Sequence, residues 1–436
     1  MKTSIRWYLV ALMFVISAVA YLDRVNISIA GKSMEMEFGL TDIQLGWVFS
    51  AFVLGYALFQ APGGWIADRL GPRRVIGFAT AWWAIFTALT GLTPAGFGGA
   101  RALLIAVRFA LGLGESVVYP ACNRLVASWI PSEERGLANG LIFAGVGAGA
   151  GISPPLITWI MVHHGWRSSF VMSAGLGLLA GLIWIWLCRD KPEDHPWTNA
   201  SERAHIRAGL PQTVSRRSLS WAAILSNRTV IALTFSYATF GYAAYIFFTW
   251  FFIYLTKVRN LDLKSSSFYS MLPFIAMAIG APLGGWVSDS LMKRHGKRIA
   301  RCGLAGVSIA CAAIFIAAGP QVQDARLASI ILAGGAGALY VSQSMFWSVT
   351  SEIGGGSAGS VSGVMNMGNQ LAGALTASLS PLIAATLGWT SSFAVAAGLC
   401  ALGAVAWFFV DPGAVIRTRT TDSEASSFGG QEIPVR

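Results

Sequence analysis

Charged residues are scarce in this chain of 436 residues. Lys, Arg, Asp and Glu make up 12% of it and hydrophobic residues 55%, whereas soluble domains carry about 25% charged residues. That deficit excludes a soluble globule. The net charge is +11, but the basic residues gather in alternate loops, a distribution that belongs to membrane topology and not to nucleic-acid binding. Five cysteines (Cys122, Cys188, Cys302, Cys311 and Cys400) lie within or at the ends of apolar runs without a C-x-x-C, and the histidines do not cluster. Neither a disulfide framework nor a zinc site is expected, and no other metal or cofactor. No nucleotide loop, catalytic constellation or sizeable soluble domain is visible, which argues against an enzyme and against a membrane sensor. Gly145, Gly147, Gly149 and Gly151 imitate a G-x-G repeat, but no strand precedes them. Close packing of helices accounts better for small residues there.

What the chain has in quantity is apolar runs near 20 residues, the length that crosses a bilayer as a helix. Twelve are expected, at about 7–30, 43–66, 74–93, 99–121, 136–158, 168–188, 228–255, 267–288, 300–319, 327–350, 358–384 and 390–410. Of the Lys and Arg residues, 21 fall on the side of the termini, 7 on the other side and 3 (Arg24, Arg108 and Arg124) inside spans. This bias places both termini in the cytoplasm of a multi-pass protein of the cell (inner) membrane. The basic start followed by an apolar run imitates a signal peptide, yet eleven more spans follow, so a retained first helix is expected. Residues 189–227, with Pro192, Pro196 and Pro211 among charges, read as a cytoplasmic linker between six-helix bundles at 1–188 and 228–411. Residues 412–436 are polar and patternless and read as a disordered cytoplasmic tail.

Two segments recur. Gly64-Trp65-Ile66-Ala67-Asp68 returns 221 residues later as Gly285-Trp286-Val287-Ser288-Asp289, and Gly165-Trp166-Arg167-Ser168-Ser169-Phe170 returns 223 residues later as Gly388-Trp389-Thr390-Ser391-Ser392-Phe393. Each keeps its side of the membrane, so the chain reads as an all-α membrane protein of twelve transmembrane helices in two parallel six-helix repeats, the major facilitator architecture. A substrate site is expected between the repeats near the midplane. In the first loop, Gly64 and Gly71 permit close approach and a tight turn, and Asp68 suits the amino end of a neighbouring helix. Arg69, Arg73 and Arg74 suit carboxylates across the bundle. With Asp289 of the second copy, this motif reads as a gate and not as a substrate contact; a plain basic loop is the alternative.

A central Asp or Arg in a membrane helix costs roughly 2.5–3.5 kcal/mol, so it faces a cavity or a partner. Asp23 and Arg24 close the first apolar run, and Arg101, Arg108 and Glu115 recur every seven residues in the fourth. That spacing puts them on one helix face with roughly 10 Å of rise between neighbours. Arg101 reaches the surface; Arg108 and Glu115 cannot. Asp23 and Glu115 are the two carboxylates expected well inside a span. Two acids and two arginines form a neutral set suited to proton-coupled uptake of an anion. A protonated carboxylate releases an arginine, which then holds the substrate carboxylate. A structural ion pair is the alternative. Tyr56, Gln60, Tyr119, Asn123, Tyr242, Tyr245, Gln343, Ser344, Trp347, Thr350, Asn366, Asn369 and Gln370 are candidates to line the same cavity, with helix–helix hydrogen bonding the competing role for each. Such a lining favours a ligand rich in hydroxyls, such as a sugar acid.

Tyr21-Leu22-Asp23-Arg24-Val25-Asn26-Ile27-Ser28, the Gly64–Arg74 loop, Arg108-Phe109 with Glu115 and Pro120, and Gly363-Val364-Met365-Asn366-Met367-Gly368 together resemble the anion:cation symporter family of the major facilitator superfamily. The likeness is to the bacterial hexuronate, glucarate and galactonate permeases and covers all twelve spans. It implies a secondary active transporter that imports an organic anion with protons by alternating access. Asp23 and Glu115 are then implied as proton-coupling carboxylates, and Arg24 and Arg108 as groups that bind or gate the substrate carboxylate. Tyr21, Tyr56, Ser344, Trp347 and Asn366 are implied as contacts to its hydroxyls. A monomer is expected to suffice. One departure is Phe143, where galactonate-type members carry a glutamine; it leaves room for a glucarate-like or an aromatic acid. Two other readings stay open: a proton-coupled drug or metabolite exporter, whose Gly-Pro signature Pro154-Pro155 matches poorly, and a sodium-coupled carboxylate symporter using oxygens of Asp23 and Asn26.

Overall fold

The computed structural model describes residues 3–210, 219–251 and 254–416; residues 417–436 of the expected tail and 211–218 of the expected linker lie outside the described residues. Among the described residues every regular element is helical. Hydrocarbon offers no partner to a free N–H or C=O, so each crossing must satisfy its backbone within its own segment. The first half runs α1 (Ile5–Phe38), α2 (Asp42–Leu70), α3 (Pro72–Leu92), α4 (Ala100–Glu115) continued by α5 (Val118–Trp129), α6 (Arg135–His164) and α7 (Trp166–Leu187). Two short helices follow, α8 (Ala200–Gly209) and α9 (Trp221–Leu225). The second half runs α10 (Arg228–Thr249), α11 (Leu263–Lys297), α12 (Leu304–Ala318), α13 (Ala325–Val341) continued by α14 (Gln343–Gly354), α15 (Ala358–Leu387) and α16 (Trp389–Ala406). Ten stretches are long and apolar enough to cross a membrane, and two of them, Phe268–Gln321 and Ala325–Leu387, span 54 and 63 residues and hold two crossings each. The described residues therefore cross twelve times.

Helices outrun their apolar cores until a stop signal ends them. α1 continues to Phe38, eight residues beyond its apolar run, and ends at Gly39 in the left-handed region (φ 61°). α2 begins with a capping box in which Thr41 Oγ1 accepts from Gln44 N at 3.3 Å and Gln44 Oε1 accepts from Thr41 N at 3.1 Å. It ends at Gly71 (φ 85°), and Pro72 opens α3 with its fixed backbone angle. The fourth and tenth crossings are both broken midway, the fourth directly after Glu115.

Packing repeats with the sequence. α1 lies on α6 as α10 lies on α15, α2 on α4 as α11 on α13, and α3 on α7 as α12 on α16. Between the halves, α2 meets α15 and α6 meets α11. The glycines of α6 serve both contacts: a Cβ on Gly145 or Gly149 would strike the backbone of α1, and one on Gly140 or Gly147 would strike α11. Large apolar side chains such as Trp186, Phe408 and Ile314 face outward, the side that lipid covers. The expected linker carries structure of its own. Glu202 of α8 is buried and accepts from Ile5 N (3.1 Å), Arg6 N and Arg6 Nη1 (3.2 Å each) and Thr3 Oγ1 (2.5 Å), tying α8 to the start of α1. Burial pushes this carboxyl up, but the donated hydrogen bonds win and hold it below its ordinary value.

Candidate functional site

Asp23 and Arg24 are neighbours on α1, so their side chains leave the helix about 100° apart. Asp23, 1% exposed, turns toward α3, where its Oδ2 accepts from Trp83 Nε1 (2.9 Å) and Thr87 Oγ1 (2.6 Å). Arg24 turns toward α4, and its Nη2 donates to Glu115 Oε1 at 2.6 Å. Its guanidinium carbon lies 4.6 Å from the Tyr21 ring, 4.5 Å from Tyr56 and 5.1 Å from Phe52. Arg108 is also 1% exposed and lies 4.9 Å from the Phe52 ring, but its Nε and Nη1 have no partner. The four charges thus divide unequally. There is one ion pair, one aspartate held by neutral donors from α3, and one arginine with no carboxylate within 4 Å among the described residues. An unpaired buried cation is costly, an arrangement that an arriving anion relieves.

A cavity of about 190 Å³ adjoins Arg24 and Arg108, walled by Tyr21, Phe49, Phe52 and Tyr56 from the first half and by Tyr245, Phe248 and Gln370 from the second. Tyr21, Tyr56, Tyr245, Phe248 and Gln370 also wall a tighter cavity of about 30 Å³, which Tyr119, Phe143, Tyr237, Trp347, Asn366 and Asn369 help to enclose. Here Trp347 Nε1 and Gln343 Nε2 both donate to the Tyr237 hydroxyl (3.0 and 2.8 Å), and Asn366 Nδ2 donates to Gln60 Oε1 (2.9 Å). Phe143 stacks on Tyr119 at 5.1 Å and meets Trp347 at 5.0 Å. An aromatic face therefore stands where a glutamine amide would project.

Ser344 departs from expectation. It is buried, its hydroxyl meets the Met345 sulfur at 3.2 Å, and it walls neither cavity. On α14, Gln343 and Trp347 are four residues apart and share the cavity face, which turns Ser344 away. Asn123 and Thr350 also leave the cavity to bond each other across the halves at 3.0 Å. Trp83 and Thr87 were not anticipated, although two polar handles four residues apart on an apolar helix are a signal for a buried acceptor. Phe52 and Tyr237 carried no such mark.

The two loop motifs dock in the same way at one end of the molecule. Asp68 accepts from Gly359 N (2.9 Å), Ser360 N (2.7 Å) and Ser360 Oγ (2.6 Å) in the first turn of α15. Asp289 accepts from Gly136 N (3.0 Å) and Leu137 N (2.7 Å) in the first turn of α6. Gly64 lies on Gly359 and Gly285 on Gly136 so closely that a Cβ on either would collide with backbone oxygen. The motif arginines do not reach across as expected. Arg69 lies over the Trp65 ring at 3.9 Å, Arg73 donates to the Ile185 carbonyl through Nε and Nη2 (3.0 and 2.8 Å), and Arg74 is exposed. Arg69 shares a face of α2 with Trp65 four residues earlier, and Arg73 stands in the first turn of α3, which packs on α7. The cations beside the two aspartates are instead Arg124, 3.7 Å from Asp68, and Arg301, 2.8 Å from Asp289. Arg301 also holds Glu352 at 3.1 Å, a buried carboxylate at the end of the tenth crossing. With Asn139–Ser348 (3.2 Å) and Arg301–Ser132 (2.7 Å), these contacts close the end that carries the basic loops. The 190 Å³ cavity lies toward the opposite end, beside Ile27 and Thr249.

A profile of the Major Facilitator Superfamily matches residues 13–377. The "Probable sulfoacetate transporter SauU" of Cupriavidus necator is 33% identical over 411 residues, covering 93% of this chain and 94% of that protein. The "Probable galactarate/D-glucarate transporter GudP" of Bacillus subtilis is 36% identical over 306 residues, 67% of each chain. The proton:xylose symporter XylE, solved with 6-bromo-6-deoxy-D-glucose, aligns over 95% of this chain and 98% of its own at a TM-score of 0.72 and 14% identity, a likeness of fold alone. The chain belongs to the Major Facilitator Superfamily: it is a multi-pass membrane transporter and not an enzyme.

Proposed function

We propose that this chain imports a small organic anion together with protons, by exposing one central site to each side of the membrane in turn. The observation that carries the reading is Arg108: buried, with Nε and Nη1 unpartnered and no carboxylate within 4 Å among the described residues, and at the wall of a cavity beside the Arg24–Glu115 pair. An anion entering that cavity gains Arg108 and competes with Glu115 for Arg24. Protonation of Glu115 breaks its pair with Arg24 and leaves the substrate holding both guanidinium groups. Asp23, held by Trp83 and Thr87, is the second proton acceptor, and Tyr21, Tyr56, Trp347 and Asn366 contact the rest of the ligand. Two bundles, 1–188 and 228–411, rock about the site over the connector 189–227, and the docking of Asp68 and Asp289 on the helix ends is the gate. With both termini in the cytoplasm of the inner membrane, the closed end is cytoplasmic and the cavity serves entry from outside. The relatives named for sulfoacetate and for galactarate and glucarate support an acid as substrate. The aromatic wall at Phe143 favours a compact acid over one with hydroxyls along its full length.

The test is uptake into proteoliposomes under an imposed pH gradient, with sulfoacetate, glucarate, galactarate and neutral xylose. Acids should accumulate and xylose should not. Asp23→Asn and Glu115→Gln should abolish accumulation while sparing exchange down a substrate gradient. Accumulation at the wild-type rate in both variants refutes proton coupling through these residues, and accumulation driven by sodium at equal pH assigns the coupling ion otherwise.

A further inference from the structure

A second cavity, of about 260 Å³, lies at the closed end, away from the central site. Four cations from four segments line it: Arg124 of α5, Arg135 at the start of α6, Lys191 after α7 and Arg207 of α8. Glu193 is the single acid in the lining, and it is bonded to Arg207 at 3.2 Å. Arg124 leans on Asp68 at 3.7 Å, whereas Lys191 is exposed. Arg135 is 1% exposed. Its Nε and Nη2 donate to the carbonyls of Ile130 (3.1 Å) and Ala127 (2.8 Å), but its Nη1 has no partner. A buried guanidinium fixed by its own half keeps one donor idle toward this cavity, where an anion would satisfy it.

We propose that this cavity is a binding site for a phosphate-type anion, separate from the transport site. Cations approaching from several directions suit a tetrahedral, multiply charged group better than a flat carboxylate. Ile206 and Leu210 on the α8 side of the cavity offer apolar cover for carbon attached to the phosphate. The opposite wall belongs to the second half, at Ser351 and Gly355. An anion bound here therefore spans both halves while this end is closed, holds that state and slows the transport cycle. The same chemistry is carried by a soluble phosphate ester and by an anionic phospholipid headgroup.

The experiment uses the full chain in nanodiscs. In phosphatidylcholine, inorganic phosphate and glycerol 3-phosphate are titrated calorimetrically. In a second arm, phosphatidylglycerol retained on the protein is counted by native mass spectrometry. One equivalent should bind in at least one arm, in the wild type and in Arg108→Ala alike. Binding in the first arm assigns a soluble anion, and binding in the second alone assigns a headgroup. The double variant Lys191→Glu/Arg207→Glu, at exposed positions, should weaken it by about tenfold or more. No saturable binding in either arm overturns the proposal. So does binding that Arg108→Ala removes and the double variant leaves unchanged, because the ligand then occupies the central site.

Discussion

Replacing Asp68 by Asn probes the proposed gate with almost no change of shape. The carboxylate accepts three hydrogen bonds, at 2.9, 2.7 and 2.6 Å, from the first turn of α15, and its side chain is 3% exposed. Asparagine keeps one acceptor oxygen and sets an amide NH₂ against a donor. One bond to a charged acceptor is lost, about 1.5–3 kcal/mol. The attraction of a negative charge for the helix amino end goes with it, a further 0.3–1 kcal/mol or so. A loss of about 2–4 kcal/mol moves the equilibrium between closed and open forms of this end by roughly 30- to 1,000-fold, at 1.4 kcal/mol per tenfold. Spin labels at Leu70 and Ile299, both exposed and in opposite halves, report that shift as a second, longer distance in the pulsed electron resonance trace. Asp289→Asn should add to it, and more strongly, because it also weakens the hold on Arg301. Identical distance distributions in the wild type, both single variants and the double variant would show that these contacts do not hold the end shut.

Three further outcomes are expected. Arg108→Ala should remove anion binding, seen as loss of ligand-induced thermal stabilisation with every acid that stabilises the wild type. Glu202→Gln should loosen α8 from α1, measured as faster hydrogen exchange at the Ile5 and Arg6 amides. Because the Glu202 carboxyl is held below its ordinary value, its contribution is complete above that value, about 4.3, and is lost as the pH falls through the folded pKa; wild-type exchange should rise toward that of the variant over the same acid range. Phe143→Gln removes a ring stacked on Tyr119 and adds an amide in the 30 Å³ cavity, so competition assays should show glucarate gaining affinity relative to sulfoacetate, and an unchanged ratio would deny this wall a part in selection.

The crossings were legible because a bilayer demands long apolar runs, and the pairing of the two halves because Gly64–Asp68 and Gly285–Asp289 are copies. The docking of Asp68 on residue 359 and of Asp289 on residue 136 follows the same spacing, so even that symmetry was latent in the repeats. The arginines of the loop were misjudged. Composition says that Arg69, Arg73 and Arg74 are cations near a membrane end, but the packing of α3 on α7 gives Arg73 its partner and Arg69 lies on Trp65 of its own helix. Ser344 was misjudged for a related reason, since a residue's face on a buried helix depends on its neighbours and not on its polarity.

What the sequence alone determined is where charge stands inside an apolar chain, because any ionised group there must be accommodated and is visible by its cost. How that charge is shared was left to the tertiary structure. Asp23 and Arg24 are adjacent in the chain, yet one turns to Trp83 and Thr87 and the other to Glu115, while Arg108 has no carboxylate within 4 Å among the described residues. Spacing along one helix sets the direction in which a side chain leaves it, and only the packing of α1 against α3 and α4 sets what it meets.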